Sequence, residues 1–137
     1  MSPRRTKSHS EDSAVRKTVR DYLESCYAWD GRRMKRALHP KLAKRIVWTN
    51  PKTGASRIYE YTAARLIRDV QSGWGARKAH TRRTPKAQRQ ADIEILDRFK
   101  DMSVVKTKAV WGVDYISLAK YNGEWKIINV LWRHYKD

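Results

Sequence analysis

The hydrophobic pattern is clearest between Trp111 and Trp132, where the sequence reads WGVDYISLAKYNGEWKIINVLW. Two arms rich in β-branched and aromatic residues flank Asn122-Gly123. This dipeptide suits a type I′ turn because both central residues of that turn take φ > 0. The pattern therefore predicts an antiparallel hairpin with a two-residue loop, in which the pairing starts at Tyr121 and Glu124.

Side chains alternate across a strand, so the predicted hairpin has two faces. Its register continues through the pairs Leu118–Ile127, Tyr115–Val130 and Val113–Trp132. One face then carries Val113, Tyr115, Ser117, Ala119, Tyr121, Ile128, Val130 and Trp132. The other carries Asp114, Ile116, Leu118, Lys120, Trp125, Ile127, Asn129 and Leu131. A hairpin with one face in water alternates between apolar and polar residues. Because both faces here are mostly apolar, we expect each of them to be covered.

Apolar residues recur with helical spacing in three stretches upstream of the hairpin. The first stretch follows Ser8 and Glu11, which have the spacing of a capping box. Its apolar stripe consists of Val15, Val19, Tyr22, Leu23, Cys26 and Tyr27. Asp30 is predicted to cap a second helix that ends at Pro40. Thr62 is predicted to cap a third helix over residues 63–72.

Shorter β patterns are predicted at residues 45–49 and 57–61, joined by a turn at 50–54, and at residues 91–99 and 103–111. In the third of these strands, alternation places Asp97 on the same face as Ile93 and Ile95. Helices thus accompany an antiparallel meander. This order predicts an α+β fold whose helices lie on one face of the sheet.

The length of 137 residues predicts a single domain, here residues 10–137. Residues 1–9, MSPRRTKSH, are predicted to be a disordered basic tail, and residues 73–90 a mobile basic loop. No apolar run reaches the roughly 18 residues of a membrane span, and no signal peptide is recognisable. The lone Cys26 excludes an internal disulfide and suits a buried thiol, so we expect a cytoplasmic protein.

The charge is strongly positive: 31 Lys and Arg against 14 Asp and Glu give a formal net charge of +17. One interpretation is a solvated basic surface, and the alternative is contact with a polyanion through the tail and the loop. No helix-turn-helix, zinc finger or aromatic RNA-recognition motif is present. The sequence therefore supports at most weak, non-specific contact with nucleic-acid phosphates.

Several stretches resemble the nuclear transport factor 2-like superfamily, which includes ketosteroid isomerase, scytalone dehydratase and polyketide cyclases of the SnoaL-like type. They are YAWDGRRMKRALHP at the end of the first helix, LHPKLAKR at 38–45, ILDRF at 95–99 and the hairpin at 111–132. Within the superfamily, residues 13–133 are most similar to the family named "putative lumazine-binding".

The resemblance implies a cystatin-like cone, in which three helices wrap a curved antiparallel sheet and leave one end open. It also implies a homodimer that forms through the outer face of the sheet. Because one hairpin face would otherwise be a large apolar patch in water, we assign the dimer interface to that face. Its members are Ile116, Leu118, Trp125, Ile127 and Leu131.

Ketosteroid isomerase-like chemistry needs a carboxylate base and an oxyanion hole made of a tyrosine and a protonated aspartate. Tyr22 stands where the resemblance would place the tyrosine, although a core tyrosine is the alternative. The first strand offers no acid, and Ser117 falls at the position of the second carboxylate. This chemistry is therefore disfavoured, and no catalytic set is established.

An enzyme of dehydratase or isomerase type remains an alternative, and it would use His39 with Asp97 or Asp114. Each residue also has a structural interpretation: the histidine suits the end of a helix, and a buried aspartate can pair with Arg45. No histidine or cysteine spacing predicts a metal site. No glycine-rich phosphate loop or nucleophile elbow is present.

The function that the sequence favours is binding of a small hydrophobic or aromatic molecule in the cone, with no cofactor required. A pterin-like or flavin-like compound is the class of ligand we expect. Ligand pockets combine aromatic side chains with a few polar atoms. The predicted lining residues are Tyr22, Cys26, His39, Trp48, Tyr115, Ser117 and Trp132.

Overall fold

The computed structural model describes residues 3–73 and 92–136, with side chains from Ser8 onward. The helices are α1 (Pro3–Ala28), α2 (Gly31–Ala37) and α3 (Ala63–Gln71). The strands are β1 (Leu38–Thr49), β2 (Ser56–Thr62), β3 (Asp92–Phe99), β4 (Met102–Lys108), β5 (Gly112–Tyr121) and β6 (Glu124–His134). The first two residues of the predicted tail, and all of the predicted basic loop beyond residue 73, lie outside the described residues.

One curved sheet holds all six described strands in the order β2-β1-β6-β5-β4-β3. β1 and β6 run parallel, and the other neighbouring strands run antiparallel. The helices pack on one face of this sheet, where most of the buried apolar side chains lie. The predicted α+β class, with a mostly antiparallel sheet and three helices, is confirmed.

The predicted helix caps form at α2 and α3. The Asp30 carboxylate accepts a hydrogen bond from the Arg33 backbone N–H, and the Thr62 hydroxyl accepts one from the Arg65 backbone N–H. Each contact satisfies an N–H that the first turn of a helix leaves without an internal partner. Both helices therefore start where the sequence predicts.

α1 starts earlier than predicted. It begins at Pro3 rather than after Ser8, so most of the segment predicted to be a disordered tail is helical. Proline suits a first helical turn because it has no N–H to leave unpaired. Ser8 lies inside the helix, and its hydroxyl accepts a hydrogen bond from Arg98 Nη2 of β3 at 3.0 Å. Glu11 accepts from Lys120 Nζ and Trp125 Nε1, each at 2.8 Å, so this turn is bound to the sheet.

The hairpin turn forms as predicted. Asn122 and Gly123 have φ of 50° and 79°, and Tyr121 pairs with Glu124. The predicted register holds as far as the pair Leu118–Ile127.

Beyond Ile127 the predicted register is wrong. Ser117 pairs with Asn129, which leaves Ile128 as the extra residue of a β-bulge. The later pairs are therefore Ile116–Val130, Tyr115–Leu131 and Asp114–Trp132. Because of the bulge, the side chains of β6 that follow Ile127 lie on the face opposite to the predicted one. Val130 and Trp132 therefore share a face with Ile116 and Leu118, although they were predicted to lie on the other face. The inner face carries Asp114, Ile116, Leu118, Trp125, Ile127, Val130 and Trp132.

This inner face is covered by α1, so the predicted dimer interface is wrong for most of its members. Ile116, Leu118, Trp125 and Ile127 are at most 5% exposed and belong to the core of the single chain. Leu131 alone of the predicted set lies on the outer face, where it is 52% exposed. Alternation shows that a strand has two faces, but it does not show which face the helices will cover.

A second bulge changes the face of Asp97. Ile95 pairs with Val105 and Asp97 with Val104, so Leu96 is the extra residue in β3. Asp97 is therefore exposed on the outer face, whereas the sequence placed it with Ile93 and Ile95.

Candidate functional site

A cluster of buried polar side chains lies on the inner face of the sheet, near the Gly112 end of β5. Thr107 of β4, Asp114 of β5 and Trp132 of β6 are direct neighbours across three strands. Asp114 is fully buried. Within the described part of the chain, neither oxygen of Asp114 makes a hydrogen bond of normal geometry, and neither does Thr107 Oγ1 or Trp132 Nε1.

Lys44 brings a positive charge to this cluster from β1. It alternates with Leu42 and Ile46 on the inward side of the strand and is 9% exposed. Its Nζ donates a hydrogen bond to the Tyr22 hydroxyl at 2.6 Å. The same Nζ lies 5.2 Å from the centre of the Tyr22 ring and 5.0 Å from that of the Trp132 ring. The ammonium group is therefore stabilised by two aromatic rings as well as by a hydrogen bond.

The pKa of Asp114 depends mainly on burial and to a smaller extent on neighbouring groups. Burial raises the pKa of its carboxyl group, because a carboxylate is poorly solvated there. The Lys44 charge, the Tyr22 hydroxyl and the Trp111 indole oppose that rise in pKa. The two uncharged groups lie close enough to favour the carboxylate, although neither completes a hydrogen bond of ordinary geometry.

Tyr22 remains a protonated phenol in this setting. Burial and the negative charge of Asp114 raise the pKa of Tyr22 well above its ordinary value. Its hydroxyl oxygen accepts from Lys44, so its proton is available to the Asp114 side.

Cys26 lies one turn after Tyr22 on α1. Burial raises the pKa of its thiol to about 11, with a smaller opposing effect of Lys44. A thiol with this pKa is a weak nucleophile at neutral pH. Cys26 can therefore shape the cluster, but it does not supply a reactive thiolate.

Trp111 joins the cluster from the β4–β5 connection. Its ring centre lies 5.4 Å from that of Tyr27, whose hydroxyl accepts from the Val110 backbone N–H at 3.2 Å. Its buried Nε1 has no hydrogen-bond partner among the described residues. The cluster thus holds two indole N–H groups that complete no hydrogen bond of ordinary geometry: that of Trp111, which lies near the Asp114 carboxyl group, and that of Trp132.

The structure brings together some of the predicted ligand-binding residues and separates others. Tyr22, Cys26 and Trp132 lie around Lys44 and Asp114. Trp48 follows Lys44 and Ile46 on the same side of β1 but is 43% exposed.

Tyr115 and Ser117 lie on the opposite, outer face of the sheet, so their predicted place in the pocket is wrong. They alternate with Asp114, Ile116 and Leu118, whose side chains point towards α1. The error has the same origin as the misplaced dimer interface: the sequence pattern did not identify the covered face.

His39 lies elsewhere in the molecule. Its ring packs edge-on against Tyr121 with 4.4 Å between ring centres, and its Nδ1 accepts from the Lys41 backbone N–H at 2.9 Å. Both rings line an open groove of about 440 Å³ at the hairpin end of the sheet.

The predicted catalytic pair of His39 with Asp97 or Asp114 is not formed. Asp114 lies seven residues along β5 from Tyr121, roughly 23 Å in an extended strand. Asp97 is on β3, at the far side of β6, β5 and β4 from His39. The ketosteroid isomerase-like set is also incomplete: Asp114 lies beside Tyr22, but β1 presents Lys44 inward and contains no acid.

Sequence reasoning missed Lys44, Thr107 and Trp111. A signal for Lys44 is present in LAKRI at 42–46, where the lysine shares the inward face with Leu42 and Ile46. Nothing comparable marks Trp111, because it lies outside the regular alternation of the strands.

The described ranges 3–73 and 92–136 contain no group of three His, Cys, Asp or Glu residues that could hold a metal ion. No helix within those ranges is long and apolar enough to cross a membrane.

The helices and the six-stranded sheet have the fold of nuclear transport factor 2-like (NTF2-like) proteins. More narrowly, the chain belongs to the family described as "Putative lumazine-binding", whose model matches residues 10–133. No curated protein matches the sequence.

Solved structures share the fold at low sequence identity. An NTF2-like protein of unknown function from Silicibacter pomeroyi aligns with a TM-score of 0.70 and 12% identity, covering 93% of this chain and 98% of that one. An NTF2-like protein of unknown function from Methylobacillus flagellatus has a TM-score of 0.64 and 16% identity, with 92% and 93% covered. A domain of unknown function with a cystatin-like fold from Nostoc punctiforme has a TM-score of 0.58 and 10% identity, with 93% and 79% covered.

Proposed function

We propose that this protein binds a small, flat, polar molecule at the cluster formed by Asp114, Lys44, Trp111 and Trp132. A single observation carries the proposal. Two buried indole N–H groups and both oxygens of a buried carboxylate have no hydrogen-bond partner in the described chain.

Unpaired buried polar groups are costly. More than about 90% of buried polar groups in native proteins are hydrogen-bonded, and each unpaired one costs roughly 1–3 kcal/mol. A ligand that pairs with several of these groups at once would recover part of that free energy. The cluster therefore favours a molecule whose polar atoms match its donors and acceptors.

The unpaired atoms indicate which chemistry matches. The Trp132 indole N–H requires an acceptor. The Trp111 indole and the Asp114 carboxyl group lie close together but complete no hydrogen bond of ordinary geometry, so each can pair with an acceptor or a donor of a ligand. A heterocycle with N–H and C=O groups side by side offers both, and its flat ring suits a site that contains aromatic side chains. Lumazines, pterins and flavins have this arrangement, and the family description points to the same class of ligand.

The proposal is tested by titrating the protein with lumazine and riboflavin, and with a steroid that has no ring N–H. Binding to the folded state raises the melting temperature as the ligand concentration rises. We expect this shift with the heterocycles and not with the steroid. Asp114→Asn and Trp132→Phe should each weaken binding at least tenfold, because each removes a pairing group from the site.

Tyr115→Phe is the matched control, since it removes one polar atom from the outer face of the same strand. Binding should not change in this variant. Failure of every N–H and C=O heterocycle to bind, or unaltered binding by the Asp114→Asn protein, would refute the proposal.

We also propose that two copies of this chain associate through the outer face of the sheet. The exposed side chains of Leu131 and Tyr115 are neighbours at its centre, with Arg45 and Lys106 directly beside them. An apolar centre with a charged rim is the usual arrangement of a protein interface.

A further inference from the structure

We infer that the Lys44 amine is a nucleophile that condenses with an aldehyde or ketone group of a bound ligand to form an imine. This inference rests on the proposed function, because it assumes that a small molecule enters the cluster. It adds a covalent step and a reactive residue to that binding site.

The surroundings of Lys44 distinguish it from the other basic residues. Among the residues whose side chains are described, it is the only lysine or arginine that is buried. Its Nζ faces the rings of Tyr22 and Trp132. The Asp114 carboxyl group is close enough to interact electrostatically with Lys44. Lysines that form imines in enzymes are typically removed from water in this way.

The amine must lose a proton before it can attack a carbonyl carbon. The Tyr22 hydroxyl accepts the hydrogen bond of Lys44 and faces Asp114, so it links the donor of that proton to an acceptor. Transfer to Asp114 replaces two buried charges with two neutral groups. Burial raises the pKa of the Asp114 carboxyl group, which favours its protonated form.

The condensation then balances without a further reactant. The nitrogen lone pair forms a bond to the carbonyl carbon, and the electron pair of the C=O π bond moves to oxygen. That oxygen takes up the proton that the nitrogen releases, which gives a carbinolamine. The protonated Asp114 next donates to the hydroxyl group, the C–O bond breaks, and water leaves. The product is a protonated imine on Lys44 opposite the Asp114 carboxylate.

The same cluster suits the charges that develop in these steps. The indole N–H groups of Trp111 and Trp132 complete no hydrogen bond of ordinary geometry within the described chain and can donate to the oxygen as it gains negative charge. The Tyr22 and Trp132 rings, which now stabilise the ammonium group, can stabilise the iminium cation in its place.

The test uses acetylacetone, a 1,3-diketone that condenses with a neutral lysine amine to an enaminone and water. The adduct is followed by its near-ultraviolet absorbance and located by peptide mass mapping. We expect Lys44 to react at least tenfold faster than Lys41, an exposed lysine on the same strand. Lys44→Arg should abolish the fast reaction, Tyr22→Phe should slow it, and Lys41→Arg should leave it unchanged.

Equal labelling of Lys44 and Lys41 in the folded parent protein would overturn the inference. So would a fast reaction that persists in the Lys44→Arg variant. Titration of the parent with lumazine and riboflavin separates this result from the proposed function. If a heterocycle binds and Lys44 is not labelled, only the imine is wrong; if Lys44 is labelled and no heterocycle binds, the ligand class is wrong.

Discussion

Asp114 is a fully buried carboxyl group at the candidate site. Burial raises the pKa of its carboxyl group. At pH values just above about 3.9, the ordinary pKa of an aspartate, the carboxyl group of Asp114 therefore keeps its proton in the folded protein but has lost it in the unfolded chain. The stability contributed by this group is complete below that value and is lost as the pH rises through the raised pKa of the folded state.

Asp114→Asn removes this titration and should change how stability depends on pH. We predict that the free energy of unfolding of the parent falls, relative to that of the variant, as the pH rises from about 4 towards about 7. Urea denaturation at steps of pH measures the difference. Ser117→Ala, an uncharged change on the outer face of the same strand, is the control and should give a flat difference. A flat difference for Asp114→Asn as well would mean that the folded state does not hold the extra proton.

The burial of Lys44 is hard to recognise from the sequence. In a chain with 31 Lys and Arg, one more lysine on a strand reads as a solvated charge. Its burial follows from the apolar neighbours Leu42 and Ile46 on the same face and from the rings that receive its ammonium group. The Tyr22 ring comes from α1 and the Trp132 ring from β6, so the pattern LAKRI indicates an inward lysine but not the side chains that surround it.

At the scale of elements, the sequence predicted what depends on local chemistry. The Asn122-Gly123 turn and the caps at Asp30 and Thr62 are each determined by a few adjacent residues, and each forms as predicted. The bulges at Leu96 and Ile128 depend on pairing between strands and leave no mark in the alternation. Each of them reverses one strand's faces, which is why Asp97 was misplaced.

The bulge at Ile128 leads to a prediction about β6. Deleting Ile128 should not change the face of any other β6 side chain, because the pairs Leu118–Ile127 and Ser117–Asn129 then follow each other without an extra residue. We expect this variant to unfold cooperatively, with a loss of about 1–2 kcal/mol for the altered packing. Far-ultraviolet circular dichroism during urea denaturation measures this.

Deleting Leu131 is the matched control, since it also removes one aliphatic residue from β6. It should turn Trp132 to the outer face and bring Arg133 against Asp114, which exchanges a core side chain for a buried charge. We expect no cooperative unfolding in this variant. If the two deletions behaved alike, the assigned position of the bulge would be incorrect.

At the scale of the whole molecule, the helices cover only one face of the sheet. The other face exposes large apolar side chains along β3, β4, β5 and β6: Leu96 at 45%, Phe99 at 60%, Met102 at 54%, Tyr115 at 45% and Leu131 at 52%. Large exposed apolar side chains on one face of a sheet often mark an interaction site. A strongly basic chain also opposes association, so an interface here needs charge compensation.

Acidic and basic side chains flank the apolar ones in the row of paired residues that crosses the sheet through Leu131 and Tyr115. Arg45 pairs with Glu60 on one side, and Lys106 pairs with Glu94 on the other, so the cations beside Leu131 and Tyr115 have acidic neighbours. We therefore predict that the protein sediments as a dimer, at twice the 16.2 kDa of one chain, at micromolar concentration. Leu131→Arg should give single chains with an unchanged circular dichroism spectrum, because it places a charge at the centre of the interface.

Val110→Arg is the control for that variant. Val110 is 47% exposed in the β4–β5 connection rather than on the outer face, so a charge there should leave the dimer intact. A parent protein that sediments as a single chain would exclude the interface altogether. A dimer that survives Leu131→Arg would show instead that the two copies meet on another surface, because a buried arginine at this position has Arg45 and Tyr115 as its direct neighbours on the sheet and no acidic residue beside it.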